Sequence, residues 1–310
     1  MGIRPQEQKI REFINNPRQQ RVLLSVLADW NRLCSSLDVI GDTELAIDAY
    51  PDICNSTGDG KSYIIVYGIL QTLMTQQDAV KHICDVLGVS YKLPKELGEI
   101  REIRANSIGH PALETENRIS KSNFIQRFSL SPTGFELLTV YSDGRGHQIR
   151  PVSIPRLIEV QREHLGKMLD EVLRELELEE MKHREAHRDR KVTEVFPPTL
   201  DYYFQKIFEA SQGGAAFGLG LPHLNFINDC VGKFESELKA RGEWGIHDSL
   251  DYLIELISYP LDELKGYFSG KRDSKLNDKD AYIFASFLLN QIEILKKIAK
   301  EIDEKYAEDP

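Results

Sequence analysis

Apolar residues along this chain recur mostly at steps of three and four, the spacing of helices that bury one face. Val22, Val26, Leu33 and Leu37, with Asp29 or Trp30 between them, predict a helix from Pro17 to Leu37. Gly41 to Lys61 reads as loop, because it holds Pro51, Asn55-Ser56 and Gly58-Asp59-Gly60. Val66, Leu70, Leu73, Gln77, Val80, Cys84 and Leu87 then alternate steps of four and three. They predict a long bundle helix from about Ser62 to Leu87 with one polar member in its seam. Pro94 suits the first turn of the next helix, which continues through Leu97, Ile100, Ile103 and Arg104 toward Gly109. Pro111 disfavours helical dihedrals at His110 and predicts a break there.

Between Asn123 and Ile154 the pattern changes. NFIQRFSL, FELLTVY and HQIRPVSI have strand-like content and are separated by the turn signals SPTG and SDGRG, so a three-stranded antiparallel meander is expected at about 123–154. Pro155 opens a helix to about Arg190 that ends in an acidic run and then a basic one, read as a solvated helix or helical linker. Phe196-Pro197-Pro198 marks a break, and helical stretches follow at Asp201–Ala210, Leu224–Ala240, His247–Phe268 and Asp278–Tyr306, interrupted by Gly213-Gly214 and Gly218-Leu219-Gly220. The expected fold class is therefore mainly α. A helical bundle with a small antiparallel β meander occupies residues 1–192, and a second helical domain occupies 193–310.

Composition narrows the functions. Hydrophobic residues make up 41% and charged residues 28%, enough to bury a core. No apolar run approaches the roughly 20 residues that cross a bilayer, and the charged start MGIRPQEQKIREF lacks the apolar stretch of a secretory signal; a cytoplasmic protein without a membrane partner is expected. Cys34, Cys54, Cys84 and Cys230 form no CxxC pair and have no His at zinc-ligand spacing. No metal and no cofactor are expected, and the thiols read as free. A net charge of −10 disfavours an extended clamp on a phosphate backbone but not a small local site.

One segment carries candidate chemistry. In Arg101 to Pro111, Arg104 falls on the same helical stripe as Leu97 and Ile100, where a guanidinium is costly unless an anion meets it. Asn106, Ser107 and His110 follow, all able to hydrogen-bond. The unperturbed pKa of His lies nearest neutrality, so His110 can take and give a proton. In a straight helix, six positions separate Arg104 from His110 by roughly 9 Å of rise and about 120° of rotation, so the two converge only with local unwinding at Gly109 or with help from a second copy. Gln77, with Gln76 or Asp78, reads as a core amide or as part of the same cleft. Lys121 and Arg127, with Arg145, His147 and Arg150, read as surface charge or as a positive surface beside the motif. His183 and His187 lie four apart on a helix, with Glu185 in the wrong place for a zinc motif. Phe204, Phe208, Phe226, Phe234, Tyr252 and Phe284 read as core.

Arg104 and His110 enclose five residues at a helix end, after the long helix YGILQTLMTQQDAVKHICDVLG. In this the chain resembles, over roughly Arg11 to Arg190, the HEPN superfamily of helical-bundle ribonucleases, whose hallmark is an Arg four to six residues before a His. One departure stands out: active members often place a polar residue directly after the Arg, where this chain has Ala105 and then Asn106. The resemblance implies metal-independent RNA cleavage to a 2′,3′-cyclic phosphate, with His110 as acid or base and Arg104 on the phosphate. Asn106 would orient the phosphate or the His110 ring, and Gln77, Ser107, Lys121 and Arg127 would bind substrate. It also implies a homodimer, and a toxin-like role in stress or phage defence with an antitoxin or regulatory partner. Two alternatives keep the fold without the chemistry: a non-catalytic module binding RNA, a nucleotide or a protein, and a helical scaffold in which Arg104 pairs with Glu99 or Glu102.

Overall fold

In the computed structural model, the structure describes residues 2–55, 59–109, 114–116, 119–270 and 275–307. The chain divides into two units, Met1–Leu176 and Glu177–Pro310, each with its own apolar core.

Unit 1 opens with α1 (Arg4–Ile14) and α2 (Pro17–Leu24), followed by α3 (Leu27–Ile53) and α4 (Asp59–Val86). The helix predicted from Pro17 is broken at Ser25–Val26, where Val26 takes an extended φ of −122° and ψ of 88°. Val22 and Val26 are consequently exposed rather than core. Conversely, the stretch read as loop from Gly41 is helical to Ile53. Leu33, Leu37, Ile40, Glu44, Ile47 and Tyr50 form one buried stripe, and Pro51 sits in the last turn, where it forfeits the one N–H bond that would reach the Ile47 carbonyl and the helix ends two residues later. A buried acid at position 44 and a terminal proline hid this helix from a reading based on apolar spacing.

The seam predicted for α4 is present. Val66, Leu70, Leu73, Gln77 and Val80 are all fully buried, and each apolar member contributes about 1.5–3 kcal/mol of burial. The next helix, α5 (Lys95–Arg104), runs antiparallel to α4: Asp78 faces Arg101, and Gln71, two turns earlier on α4, faces Arg104 one turn later on α5. The sheet follows, with antiparallel order β1 (Glu114–Glu116), β2 (Ile119–Ile125), β3 (Gly134–Tyr141), β4 (His147–Ser153). It contains the expected meander and one further short strand. Arg127–Ser129, expected to continue β2, is a 3-10 turn. Phe135, Leu137 and Val152 point into the core, while Phe124, Leu138 and Ile149 lie in register on the opposite face.

The long helix α6 (Ile154–Arg188) completes unit 1 through Leu165, Leu169, Val172 and Leu176. The division between units falls inside this helix rather than near residue 193. Its leucine stripe enters the first core as far as Leu176, whereas residues just past its end bond within unit 2, Arg190 with Glu237 and with Arg241.

Unit 2 consists of the end of α6 with α7 (Leu200–Ser211), α8 (Phe217–Ala240), α9 (Asp248–Phe268) and α10 (Asp278–Ala307). Phe204, Ile207, Phe234, Ile257, Leu288 and Ile292 are fully buried in its core. Gly218 and Gly220 do not interrupt a helix but lie within α8. A Cβ on Gly220 would stand 2.3 Å from the Phe268 ring, so the residue is small because α9 approaches it closely. Among the described residues no helix is long and apolar enough to cross a membrane.

Candidate functional site

The α-helical ladder of α5 stops at Arg104, and the next five residues, Ala105–Gly109, form a π turn. A π turn closes i to i+5 and so widens the helix by one residue, a feature frequent at functional sites. Gly109, not Ile108, is then stacked over Arg104. A Cβ on Gly109 would lie 3.1 Å from Arg104 Nη1, so the guanidinium lies directly against this glycine. His110 itself lies outside the described residues. Its chain position fixes only that it follows the residue Arg104 touches.

Arg104 is half-buried, and its Nε and Nη2 both donate to Gln71 Oε1, at 3.2 and 2.8 Å. Its partner is thus a neutral amide. Three other arginines of unit 1 meet carboxylates: Arg101 meets Asp78, Arg150 meets Glu99 and Glu102, and Arg162 meets Glu44 and Asp48. Glu99 and Glu102, the carboxylates that the scaffold alternative assigns to Arg104, bind Arg150 instead. Gln71 was not among the sequence candidates. The antiparallel pairing of Asp78 with Arg101 is the signal that leads to it, since Gln71 lies one heptad before Asp78.

Asn106 is buried and faces the sheet. Its Oδ1 accepts from Asn123 Nδ2 at 3.4 Å, and Asn123 Oδ1 accepts from Thr139 Oγ1 at 2.8 Å. This relay braces the π turn against β2 and β3. Asn106 is therefore turned to the sheet rather than to a solvent-borne phosphate, while the other role expected of it, orienting the His110 ring, involves a residue outside the described ones. Ser107 is also buried, its hydroxyl without a hydrogen-bond partner among the described residues, and it offers no surface to substrate.

Gln77 is a core residue, not part of a cleft. It is fully buried, and its Nε2 donates to Gln161 Oε1 at 2.8 Å. Gln161 Nε2 donates to Gln76 Oε1 at 2.8 Å, and Gln76 Nε2 donates to Glu44 Oε1 at 2.9 Å. Arg162 and the Ile3 amide complete the shell of Glu44, which has no solvent exposure. A carboxylate only accepts, so Glu44 dictates which way each amide in the row faces.

Lys121 lies in β2 and Arg127 in the turn beyond it. Four strand steps from Lys121 to Ile125 already span about 13 Å, so Lys121 and the end of β2, beyond which Arg127 lies, are well separated along the strand. Arg145 bonds Asp143 and lies over the Tyr141 ring, and Arg150 is taken by Glu99 and Glu102. The positive strip is thus largely neutralised by carboxylates.

In unit 2, His183 and His187 stand with ring centroids 4.9 Å apart and pack on Tyr306, so this helix face is not simply solvated. Arg241, buried beside the same ring, donates to the His187 and Arg190 carbonyls and so caps the end of α6. Tyr252, read as core, is exposed and lines an apolar groove of about 430 Å³ with Tyr259, Ile283 and Phe287. Among the described residues no three or more His, Cys, Asp or Glu gather as metal ligands. The cysteines are free, and burial, with the neighbouring Asp85 charge, pushes the Cys84 thiol up to about 11.

No family model matches the chain, and neither a curated protein nor a solved structure matches it.

Proposed function

We propose that unit 1 is a metal-independent endoribonuclease of the HEPN type, with Arg104 and His110 as its catalytic pair. The observation that carries this reading is the setting of Arg104. Its charge is held by the amide of Gln71 rather than by a carboxylate, and its guanidinium rests on Gly109, one residue before His110. A cation that has no carboxylate partner among the described residues, at a widened helix turn, is suited to a phosphate, which it can meet with two parallel hydrogen bonds.

In this mechanism the ribose 2′-oxygen attacks the adjacent phosphorus and the bond to the 5′-oxygen breaks, leaving a 2′,3′-cyclic phosphate and a 5′-hydroxyl. His110 removes the 2′ proton or supplies the proton to the leaving oxygen. Arg104 neutralises charge growing on the non-bridging oxygens. A two-fold dimer would place two such pairs at one cleft and supply the other proton-transfer group. A cytoplasmic role in stress or phage defence, with an antitoxin or regulatory partner, rests on the family resemblance alone.

The test is incubation of the purified full chain with mixed RNA in excess EDTA, followed by end-group analysis. Cyclic phosphate ends that vanish in both Arg104→Ala and His110→Ala support the reading; RNA left intact by the wild-type protein ends it. A second reading, a non-catalytic module that binds RNA or another phosphate ligand, is favoured by one observation: Asn106, the polar residue nearest Arg104 in the motif, is committed to Asn123 and buried. Binding that requires Arg104 but yields no product would identify that module.

A further inference from the structure

The hold on Arg104 is itself held. Gln71 lies on α4 one turn before Thr75. Its Nε2 donates to Thr75 Oγ1 at 3.1 Å, and the Thr75 hydroxyl donates back to the Gln71 main-chain carbonyl at 3.0 Å. The Thr75 proton is therefore already used, and its oxygen can only accept from the Gln71 amide. That fixes the amide's orientation: the NH2 turns to Thr75 and Oε1 turns to Arg104. The reverse orientation would set an NH2 against the N–H edge of the guanidinium and would leave Oε1 facing a hydroxyl with no proton to give. Thr75 thus selects the one rotamer in which Gln71 receives both Nε and Nη2 of Arg104.

The consequence is electrostatic as well as geometric. An acid at position 71 would offer the same acceptor geometry but add a negative charge that competes with any incoming anion. An amide orients the guanidinium and leaves its charge in place. With one edge of the guanidinium on Gln71, Nη1 lies toward Gly109 and the end of the π turn. We infer that Gln71, set by Thr75, is the positioning residue of the site, and that it directs Arg104 at an RNA phosphate without neutralising it. This inference rests on the RNA-cleavage reading of Arg104 and His110.

The experiment compares wild type, Gln71→Glu, Gln71→Met and Thr75→Val in the full chain. Two readouts are taken: cleavage of a single-stranded oligoribonucleotide in EDTA, and the Nε–H nuclear magnetic resonance signal of Arg104, assigned by its loss in Arg104→Lys. Gln71 is exposed on α4, so these variants should fold, and their unfolding midpoints check this.

The expected result is that Gln71→Glu lowers kcat at pH 7 by about tenfold or more, the effect of removing an interaction used mainly in the transition state. Gln71→Met and Thr75→Val should lower it by a smaller, similar factor of roughly three. The deficit of Gln71→Glu relative to wild type should shrink as the pH falls and the new carboxyl, held by Arg104 below the ordinary Glu value of about 4.3, takes up its proton; a merely structural defect would not follow that titration. The Arg104 Nε–H signal should move in all three variants.

Full kcat in Gln71→Glu, with wild type active, overturns the positioning role. If wild-type protein cleaves nothing, the catalytic reading falls by itself, and the resonance decides the rest. A signal that moves in the variants supports the hold on Arg104, and an unmoved signal overturns it.

Discussion

Replacing Glu44 by Gln should cost unit 1 several kcal/mol, although the two side chains are nearly isosteric. Oε1 of Glu44 accepts from Gln76 Nε2 at 2.9 Å and from Arg162 Nε at 3.3 Å, and Oε2 accepts from the Ile3 amide at 3.2 Å and from Arg162 Nη2 at 3.0 Å. Whichever way a Gln amide is turned, its NH2 faces two donors and two of the four hydrogen bonds are lost. Every one of these bonds is to the carboxylate, and hydrogen bonds to charged groups contribute about 1.5–3 kcal/mol each. The expected loss is about 3–6 kcal/mol, with Asp48 left as the carboxylate on Arg162 among the described residues. The disturbance also propagates, because Gln76, Gln161 and Gln77 take their orientation from Glu44 in turn. The assay is urea unfolding followed by a probe in unit 1, since two cores can give two transitions. A triple variant, Glu44→Leu with Gln76→Met and Arg162→Met, removes the side-chain donors and the acceptor together, leaves only the Ile3 amide of these donors without its partner, and should recover part of the loss, as buried polar clusters replaced by apolar groups often do. A Glu44→Gln protein within about 1 kcal/mol of wild type would refute the reasoning, for it would mean that the carboxylate does not order this network.

Three further outcomes are expected. Asn106→Ala and Asn123→Ala should each destabilise unit 1 by about 1–3 kcal/mol, the cost of orphaning a buried polar partner, and in a double-mutant cycle they should couple; additive losses would remove the brace on the π turn. Ser107→Ala should leave stability equal or raised by about 1 kcal/mol, because it deletes a buried hydroxyl without a partner, and should leave RNA affinity unchanged; weakened RNA binding would return Ser107 to the site. The Cys84 thiol, raised by burial and by Asp85 from its ordinary value near 9 to about 11, favours the neutral form in the folded state. Its contribution is full below pH 9 and disappears as the pH rises to about 11, so alkaline unfolding should start later in Cys84→Ala relative to its own neutral-pH stability; identical pH profiles would contradict this.

What the sequence disclosed depended on how each residue is used. The α4 seam was legible because Val66, Leu70, Leu73 and Val80 repeat a spacing that only helix packing explains. The strands were legible through their turns, Ser131 to Gly134 and Ser142 to Gly146. The middle of α3 was not, because Glu44 reads as surface until Arg162 and Gln76, distant in sequence, are seen to satisfy it. Gln77 was visible as an anomaly in the seam, but only the fold shows Gln161 across from it. The π turn leaves no compositional mark. It is a choice of hydrogen-bond closure made where α5 meets the sheet, and Asn123 and Thr139, which stabilise it, lie on strands that a local reading does not connect to the motif.

Under the proposed RNA-cleavage reading, an acidic chain and an RNA substrate are compatible only under a restriction, and that restriction bears on the choice of target. The net charge of −10 repels a polyanion at long range, but that field is screened over about 8 Å at physiological salt, whereas a hydrogen-bonded guanidinium acts at contact. Much of the positive charge around the motif is spent internally: Arg101, Arg145 and Arg150 each face a carboxylate. A duplex, which is bound through many phosphates along a continuous surface, would meet these three described arginines already paired. A single phosphate presented by an unpaired loop can approach Arg104 without bringing the rest of the backbone against acidic protein. On the proposed reading, the setting of Arg104 therefore argues for recognition of exposed, single-stranded RNA and against binding along a helix.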